Sequence, residues 1–166
     1  MTSREPLAFD PILRAAALWD ERIGPSRTMA AVTSVMRVQQ ILLSAVDAAL
    51  RPHGLTFARY EALVLLVFSS RGSLPLGKMG ERLQVHPTSV TSIVRRLEAA
   101  GLVVRRAHPE DGRAVLAEIT PAGRELVEVA TRDLVDADFA LSALSDGDLA
   151  TVSSVLRPVR EAAGDF

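Results

Sequence analysis

The stretch from Pro87 to Gly101 constrains the fold more than any other part of this 166-residue chain. Proline is favoured at the first position of a helix, where its missing N–H costs nothing, and glycine is favoured just past a helix end. Between them, apolar residues recur at the spacing of one helix face, at Val90, Ile93, Val94 and Leu97. The sequence therefore predicts a helix over residues 87–100 with one face against a core.

The opposite face of this helix carries short hydroxyl side chains and arginines, and it has no large apolar residue. These residues are Thr88, Ser89, Thr91, Ser92, Arg95 and Arg96. Such a face suits a polar, anionic surface such as DNA, because hydroxyl groups and guanidinium groups bind bases and phosphates. A solvated surface helix is the plain alternative, and the helix by itself does not decide between the two.

The distribution of charge favours a polyanionic partner for the middle of the chain. The net charge of the whole chain is only −1. Residues 71–113, however, hold eight Lys or Arg against four Asp or Glu, a net charge of +4. Residues 114–166 hold four Arg against ten Asp or Glu, a net charge of −6. A basic middle segment beside an acidic tail is typical of a chain whose middle segment binds nucleic acid.

The elements around the Pro87 helix predict a winged helix. A short helix over 77–84 precedes it across a turn, which gives the helix-turn-helix pattern, and Leu74–Leu76 reads as an edge strand. After Gly101 the pattern changes to strands at 102–107 and 114–120, joined by a charged Pro- and Gly-containing turn at 108–113. The expected fold class is mainly α with a small β-hairpin wing (α+β), a winged helix-turn-helix flanked by dimerisation helices.

Four segments organise the chain. The sequence predicts an N-terminal arm and an extra helix at 1–26, a dimerisation helix at 27–54, a winged helix-turn-helix DNA-binding domain at 55–120, and C-terminal dimerisation helices at 121–166. Thr56, Thr120 and Ser145 are the expected helix caps, the helix from Pro121 is expected to reach Ala143, and Pro158 is expected to kink or end the last helix. The long apolar stripes of the flanking helices exceed what one small unit can cover, so a self-complementary homodimer is expected.

Residues 74–106 and 108–126 resemble the MarR family (multiple antibiotic resistance regulators). The resemblance depends on the helix-turn-helix segment, on the wing motif Asp111-Gly112-Arg113, and on the helix start Thr120-Pro121-Ala122-Gly123-Arg124. It covers roughly residues 30–160. It implies a homodimeric, ligand-responsive winged-helix repressor or activator that binds a pseudo-palindromic operator in double-stranded DNA.

The resemblance also implies roles for single residues. The helix at 87–100 would enter the major groove and the wing at 102–119 the minor groove. Arg113 would reach into the minor groove, and Asp111 would brace the wing, because a carboxylate is repelled by phosphates. The hydroxyls of Thr88, Ser89, Thr91 and Ser92 would read bases, while Arg95 and Arg96 would mainly contact phosphates.

A small aromatic or phenolic anion is the expected kind of effector, because members of the family commonly bind such molecules. Trp19 and Glu61 resemble residues of a urate-responsive subgroup and are candidate ligand-pocket residues, with a structural role as the alternative. That subgroup carries an arginine at the position of Ser92, so urate itself is not expected here.

Other function classes lack their sequence patterns. The chain shows no Gly-rich phosphate loop, Ser-His-Asp order, HExxH motif or paired carboxylates, so no enzyme is expected. It has no cysteine, and its three histidines are scattered over turns, so neither a metal site nor a cofactor is expected. The first ten residues contain no apolar run, and the longest apolar stretch, Ala62–Phe68, is shorter than the ~20 residues of a membrane span.

Because the sequence shows neither a signal peptide nor a membrane span, a soluble cytoplasmic protein without membrane contact is expected. A winged helix used only for protein–protein contact is the competing class, and it would require an apolar outer face on the Pro87 helix.

Overall fold

A computed structural model describes residues 7–109 and 114–166 of the chain. The helices in this part are α1 (Pro11–Arg22), α2 (Arg27–Leu50), α3 (Phe57–Phe68), α4 (Leu76–Leu83), α5 (Pro87–Ala99), α6 (Pro121–Asp136) and α7 (Asp146–Ala162). The strands are β1 (Ser73–Pro75), β2 (Val103–Ala107) and β3 (Val115–Ile119). This helical fold with a small antiparallel sheet confirms the predicted fold class.

The chain divides into two compact units, Met1–Ser44 and Ala45–Phe166, and α2 begins in the first and ends in the second. In the first unit the Asp10 carboxylate caps α1 by accepting from the Ile12 N–H at 2.7 Å. The corner before α2 is closed by Ser26, whose N–H and hydroxyl donate to the Asp20 carboxylate at 2.8 and 2.9 Å. None of the described residues of α1 is buried, and Leu13, Leu18 and Trp19 are exposed.

The second unit contains an aliphatic core that supports α5. Three buried residues of α5, Val90, Val94 and Leu97, belong to the same cluster as Leu63 and Leu66 of α3. Helix α6 adds its own side chains to this cluster, and the Tyr60 hydroxyl meets the Thr131 hydroxyl at 2.8 Å between α3 and α6. The apolar face predicted for the Pro87 helix is therefore confirmed, with Ile93 only half-buried at its edge.

The sheet has three strands in the order β1-β3-β2, all antiparallel. The hairpin of β2 and β3 was expected from the sequence, and the structure adds β1 to its outer side, where Leu74 pairs with Ala117. Pro75 lies in this outermost strand, as expected of a residue that has no N–H to donate to a ladder. The sheet joins the segment before α4 to the hairpin after α5, so it holds the helix-turn-helix from both ends.

The start of α3 differs from the predicted cap. Thr56 occupies the N-cap position, but its side chain makes no capping hydrogen bond. The Phe57 N–H donates instead to the Asp47 carboxylate at 2.7 Å. A residue ten positions back in the sequence, on α2, therefore satisfies the first N–H of α3, and the Thr56 hydroxyl is left for other partners.

Two helix ends in the C-terminal part also differ from the predictions. Helix α6 ends at Asp136 rather than at Ala143, because Asp138, Phe139 and Ala140 adopt positive φ angles of 47°, 48° and 63°, which a right-handed helix cannot contain. Helix α7 continues past Pro158 to Ala162, so Pro158 does not end it, and of the two predicted effects of this proline only a kink stays a prediction. Because α7 is exposed along its whole length, water can satisfy the carbonyl group that the proline leaves without a donor.

Helix α2 is the one place where the described residues fit a membrane span by length and composition. The segment Arg27–His53 passes both criteria, although the longest uninterrupted run of strongly apolar residues is Ala62–Phe68. Length and composition do not distinguish a membrane span from a helix that packs against protein. Polar side chains such as Arg37, Gln39 and Gln40 interrupt the apolar ones on α2.

Candidate nucleic-acid interface

A short turn fixes the direction in which α5 leaves α4. Gln84 ends α4 in the left-handed conformation at φ 50°, and His86 occupies the N-cap position of α5. The His86 Nδ1 accepts from the Thr88 N–H at 3.3 Å and lies 3.0 Å from the Thr88 hydroxyl oxygen. Pro87 is the first residue of α5, and Gly101 follows its end at φ 74°, so both predicted boundary signals are confirmed.

The outer face of α5 presents the predicted polar side chains together. All of them are exposed except Ser92, which is half-buried. The Thr91 hydroxyl donates to the Pro87 carbonyl oxygen at 3.0 Å, so only its oxygen lone pairs remain for an external donor. No structural observation tests whether Thr88, Ser89, Thr91, Ser92, Arg95 and Arg96 contact DNA, and their assignment stays a prediction.

The basic residues of the hairpin and of α5 differ in whether they form ion pairs with described residues. On the hairpin, the Arg105 Nε donates to the Glu98 carboxylate at 2.7 Å and the Arg106 Nε to Glu118 at 2.6 Å. On α5, neither Arg95 nor Arg96 forms an ion pair with a described residue. Arg71 and, on α4, Lys78 and Arg82 are exposed and likewise form no ion pair with a described residue, so the positive charge open to an anionic partner extends from this segment to α5.

A shallow cavity of about 330 Å³ lies between the first turn of α3 and one flank of α5. Arg59 of α3 is held at its rim, because its Nε donates to the Thr56 hydroxyl oxygen at 3.2 Å and its Nη1 to the Gly54 carbonyl oxygen at 3.0 Å. The lining residues are Thr56, Arg59, Ser89, Ser92, Ile93 and Arg96. Thr56 and Arg59 were not predicted as site residues from the sequence, since their spacing alone indicates only a helix start.

The segment after the hairpin is pinned to the end of α5 by Thr120 and Gly123. The Thr120 hydroxyl donates to the Gly101 carbonyl oxygen at 2.8 Å and accepts from the Gly123 N–H at 3.1 Å, which confirms the predicted cap of α6. A Cβ atom at Gly123 would lie under 3.0 Å from the Leu102 carbonyl oxygen. Only glycine fits where α6 begins against the turn that follows α5.

The tip of the predicted wing lies outside the described residues. Arg113, the expected minor-groove residue, and Asp111, the expected brace, both belong to residues 110–113. The described part of the hairpin closes with the His108 N–H donating to the Ala114 carbonyl oxygen at 3.0 Å. The assignments of Arg113 and Asp111 therefore stay predictions.

The two candidate effector-pocket residues belong to different units. Trp19 lies on α1 and is partly exposed. Glu61 lies on α3 with an exposed side chain, and partial desolvation raises the pKa of its carboxyl group. Neither of them lines the cavity between α3 and α5.

Comparisons with known proteins agree on one family. The sequence model of the MarR family matches residues 55–115. The organic hydroperoxide resistance transcriptional regulator of Bacillus subtilis is 35% identical over 64% of this chain and 71% of its own length. The crystal structure of Sco5413, a MarR family transcriptional regulator of Streptomyces coelicolor, is 59% identical, has a TM-score of 0.79, and covers 84% of this chain and 96% of its own.

A third similar protein was solved with a ligand. CouR of Rhodococcus jostii, whose crystal structure contains p-coumaroyl-CoA, is 26% identical over 75% of this chain and 87% of its own, with a TM-score of 0.66.

Proposed function

The chain belongs to the MarR family, and on that premise we propose that it is a sequence-specific DNA-binding transcriptional regulator. It acts as a ligand-responsive homodimeric repressor on a pseudo-palindromic operator. One observation carries the proposal: α5 turns an exposed row of hydroxyl groups, with Arg95 and Arg96 unpaired among the described residues, away from a core that holds the helix rigidly. Such a face matches the chemistry of base edges and phosphates and offers little to an apolar partner.

The DNA complex that we propose assigns each part of the interface a role. Helix α5 lies in the major groove, with the hydroxyl groups of its first turns toward base edges and phosphates. Arg95 and Arg96 bind phosphates on either side, and Arg113 of the wing enters the adjacent minor groove, where the negative potential favours arginine. Asp111 braces the wing. The protein acts in the cytoplasm, where its operator is.

A homodimer is part of the proposal. None of the described residues of α7 is buried, although Val152, Val155, Leu156 and Val159 form an apolar stripe on it. The first part of α2 likewise exposes Val35, Met36 and Ile41. A second copy of the chain would cover both surfaces, so residues 27–54 and 121–166 are the proposed dimerisation segments and 55–120 the DNA-binding domain.

We place regulation at the level of dimer geometry. The two α5 helices of a dimer must be spaced about one DNA turn apart, about 34–36 Å. A small aromatic or phenolic anion that binds one spacing better than the other shifts the population of the two forms. CouR, a member of the same fold, contains an aromatic acyl-CoA, which supports this class of effector. Trp19 and Glu61 are candidates for its pocket.

The alternative function is a winged helix that serves only as a protein–protein interaction module. It predicts an apolar outer face on α5, and the residues found there are polar or charged. It therefore stays the second candidate.

The first prediction concerns DNA binding itself. Labelled fragments of the DNA beside the protein's own gene are titrated with the dimer, and fluorescence anisotropy is recorded over a series of salt concentrations. We expect tight binding to a pseudo-palindrome and a steep loss of affinity with salt, because several phosphates are neutralised. Arg113→Ala should weaken binding to all fragments, whereas Arg22→Ala on α1 removes the same charge and should not.

Two results would overturn the proposal. One is that the folded protein binds no genomic fragment at low salt, with or without aromatic anions. The other is that Arg113→Ala and Arg22→Ala affect binding equally, which would remove the wing from the interface.

A further inference from the structure

We propose that the cavity between α3 and α5 is a phosphate-binding site for the DNA backbone, with Arg59 as its principal residue. This inference rests on the proposed function and adds a contact from outside the helix-turn-helix and the wing. The site would clamp a phosphodiester group between Arg59, at the start of α3, and Arg96, on the flank of α5.

The chemistry of the cavity suits one anionic group. Its described lining combines two guanidinium groups, the three hydroxyl groups of Thr56, Ser89 and Ser92, and no carboxylate. Guanidinium groups form paired, charge-assisted hydrogen bonds with phosphate oxygens, and hydroxyl groups can complete the coordination. A cavity of about 330 Å³ that opens at the surface has room for a phosphate that remains attached to its chain.

Arg59 is prepared for this role by its own contacts. Its hydrogen bonds to the Thr56 hydroxyl and the Gly54 carbonyl oxygen hold the guanidinium plane in place. The group carries more N–H donors than these two bonds use, so others remain for a ligand. Little side-chain entropy is then lost when a phosphate binds, which is the usual advantage of a preorganised arginine.

Asp47 makes this arrangement possible. Its carboxylate accepts from the Phe57 N–H, so Thr56 does not need to cap α3 with its side chain. The Thr56 hydroxyl oxygen accepts from Arg59 instead, and its hydrogen is available to an anion. The unexpected cap of α3 and the position of Arg59 are thus two parts of one arrangement.

The position of the cavity suits contact with the phosphate backbone that borders the major groove. A helix with its side chains is about 10–12 Å across and the major groove is about 12 Å wide, so a helix seated in it has a phosphate backbone along each flank. The cavity lies on the flank of α5 that carries Ser89, Ser92 and Arg96, and α3 begins beside that flank. Arg59 therefore meets the backbone when α5 enters the groove.

The test compares Arg59→Gln with the matched control Arg22→Gln, which loses the same charge on α1, outside the proposed DNA-binding and dimerisation segments. Affinity for operator and for non-operator duplexes is measured over a series of salt concentrations. We expect Arg59→Gln to lower the slope of log K against log salt by about 0.9 per contact, or about 1.8 for a dimer, and to weaken both duplexes equally. Arg22→Gln should keep the wild-type slope.

A second variant protects the test against misfolding. Arg59→Lys keeps the positive charge but loses the planar fork, so we expect the wild-type salt slope with lower affinity. If Arg59→Gln is less folded by circular dichroism, the Lys variant decides alone, and a changed slope in it would overturn the proposal. Identical slopes for wild type, Arg59→Gln and Arg22→Gln would also overturn it, while leaving the proposed function intact.

Inorganic phosphate separates a backbone phosphate from a free anion. It is titrated into the protein without DNA, and binding is followed by calorimetry for wild type and Arg59→Gln. We expect no saturable binding at millimolar concentrations, because the site is completed only when the duplex holds the phosphate in place. Saturable, Arg59-dependent binding of free phosphate, together with an unchanged DNA salt slope, would assign the cavity to a soluble anion. A protein that binds no DNA at all would refute the proposed function first.

Discussion

At Gly123, the absence of a side chain allows α6 to pack closely against the hairpin that follows α5. The first turn of α6 passes so close to Leu102 that a Cβ atom at Gly123 would lie under 3.0 Å from the Leu102 carbonyl oxygen and also from the Ile119 side chain. Leu102 immediately precedes β2, and Ile119 is the last residue of β3, in the hairpin that follows α5. A larger residue at this position would therefore push α6 away from the hairpin.

Gly123→Ala is expected to destabilise the protein by about 1–3 kcal/mol, because the added methyl group is forced against backbone and a packed side chain. Gly77→Ala is the matched control near the start of α4, where a Cβ atom meets nothing within 4 Å. It should stabilise the helix by about 0.5–1 kcal/mol through the lower backbone entropy of alanine. Urea unfolding measures both, and equal effects of the two changes would contradict the packing argument.

At the scale of elements, one hydroxyl group links the end of α5 to the start of α6 by hydrogen bonds to both. Thr120 donates to the carbonyl oxygen of Gly101, just past α5, and accepts from the Gly123 N–H in the first turn of α6. The backbone adds a second link, since the Thr120 N–H donates to the Leu102 carbonyl oxygen at 3.0 Å. The orientation of α5 is therefore coupled to that of α6, which belongs to the proposed dimerisation segments.

Thr120→Ala should cost about 1–2 kcal/mol of unfolding free energy, because it removes a helix cap and leaves the Gly101 carbonyl oxygen without its donor. Thr120→Ser keeps the hydroxyl group and should cost much less. Thermal unfolding followed by circular dichroism compares the three proteins. Similar losses in the Ala and Ser variants would show that the methyl group, and not the hydrogen bonds, holds the junction.

At the scale of the whole molecule, a single chain exposes large apolar side chains on α2 and α7. Val155 and Val159 of α7 are each 66% exposed, and Ile41 of α2 is 58% exposed. Large exposed apolar surfaces on a protein in water mark interaction sites. The apolar character that lets α2 fit a membrane span by composition is equally explained by a partner chain that covers it.

Val155→Glu should weaken the homodimer at least about tenfold, or about 1.4 kcal/mol, because a carboxylate would replace an apolar side chain in the proposed interface. Ser154→Glu introduces the same charge on the opposite face of α7 and should leave the dimer unchanged. Sedimentation equilibrium measures the dissociation constant of each protein. A dimer that tolerates Val155→Glu would place the interface elsewhere, and a wild-type monomer would refute the homodimer.

The sequence by itself determined the features that are encoded within a few residues. Pro87 and Gly101 predicted the limits of α5, and the spacing of its apolar residues predicted the buried face formed by Val90, Val94 and Leu97. Thr120 and Ser145 predicted the caps of α6 and α7, which the structure confirms. Each of these signals acts over at most two turns of helix, so a local pattern is sufficient to express it.

Only the tertiary structure decided what depends on residues that are distant in the chain. It assigned the cap of α3 to Asp47, paired the predicted edge strand with β3, and brought Arg59 and Arg96 to the lining of one cavity. No local pattern encodes these contacts, because each is set by how separate elements pack around the shared core. The sequence thus indicated a DNA-reading helix, and the packing of α3 beside that helix assembled the cavity that we propose as its phosphate contact.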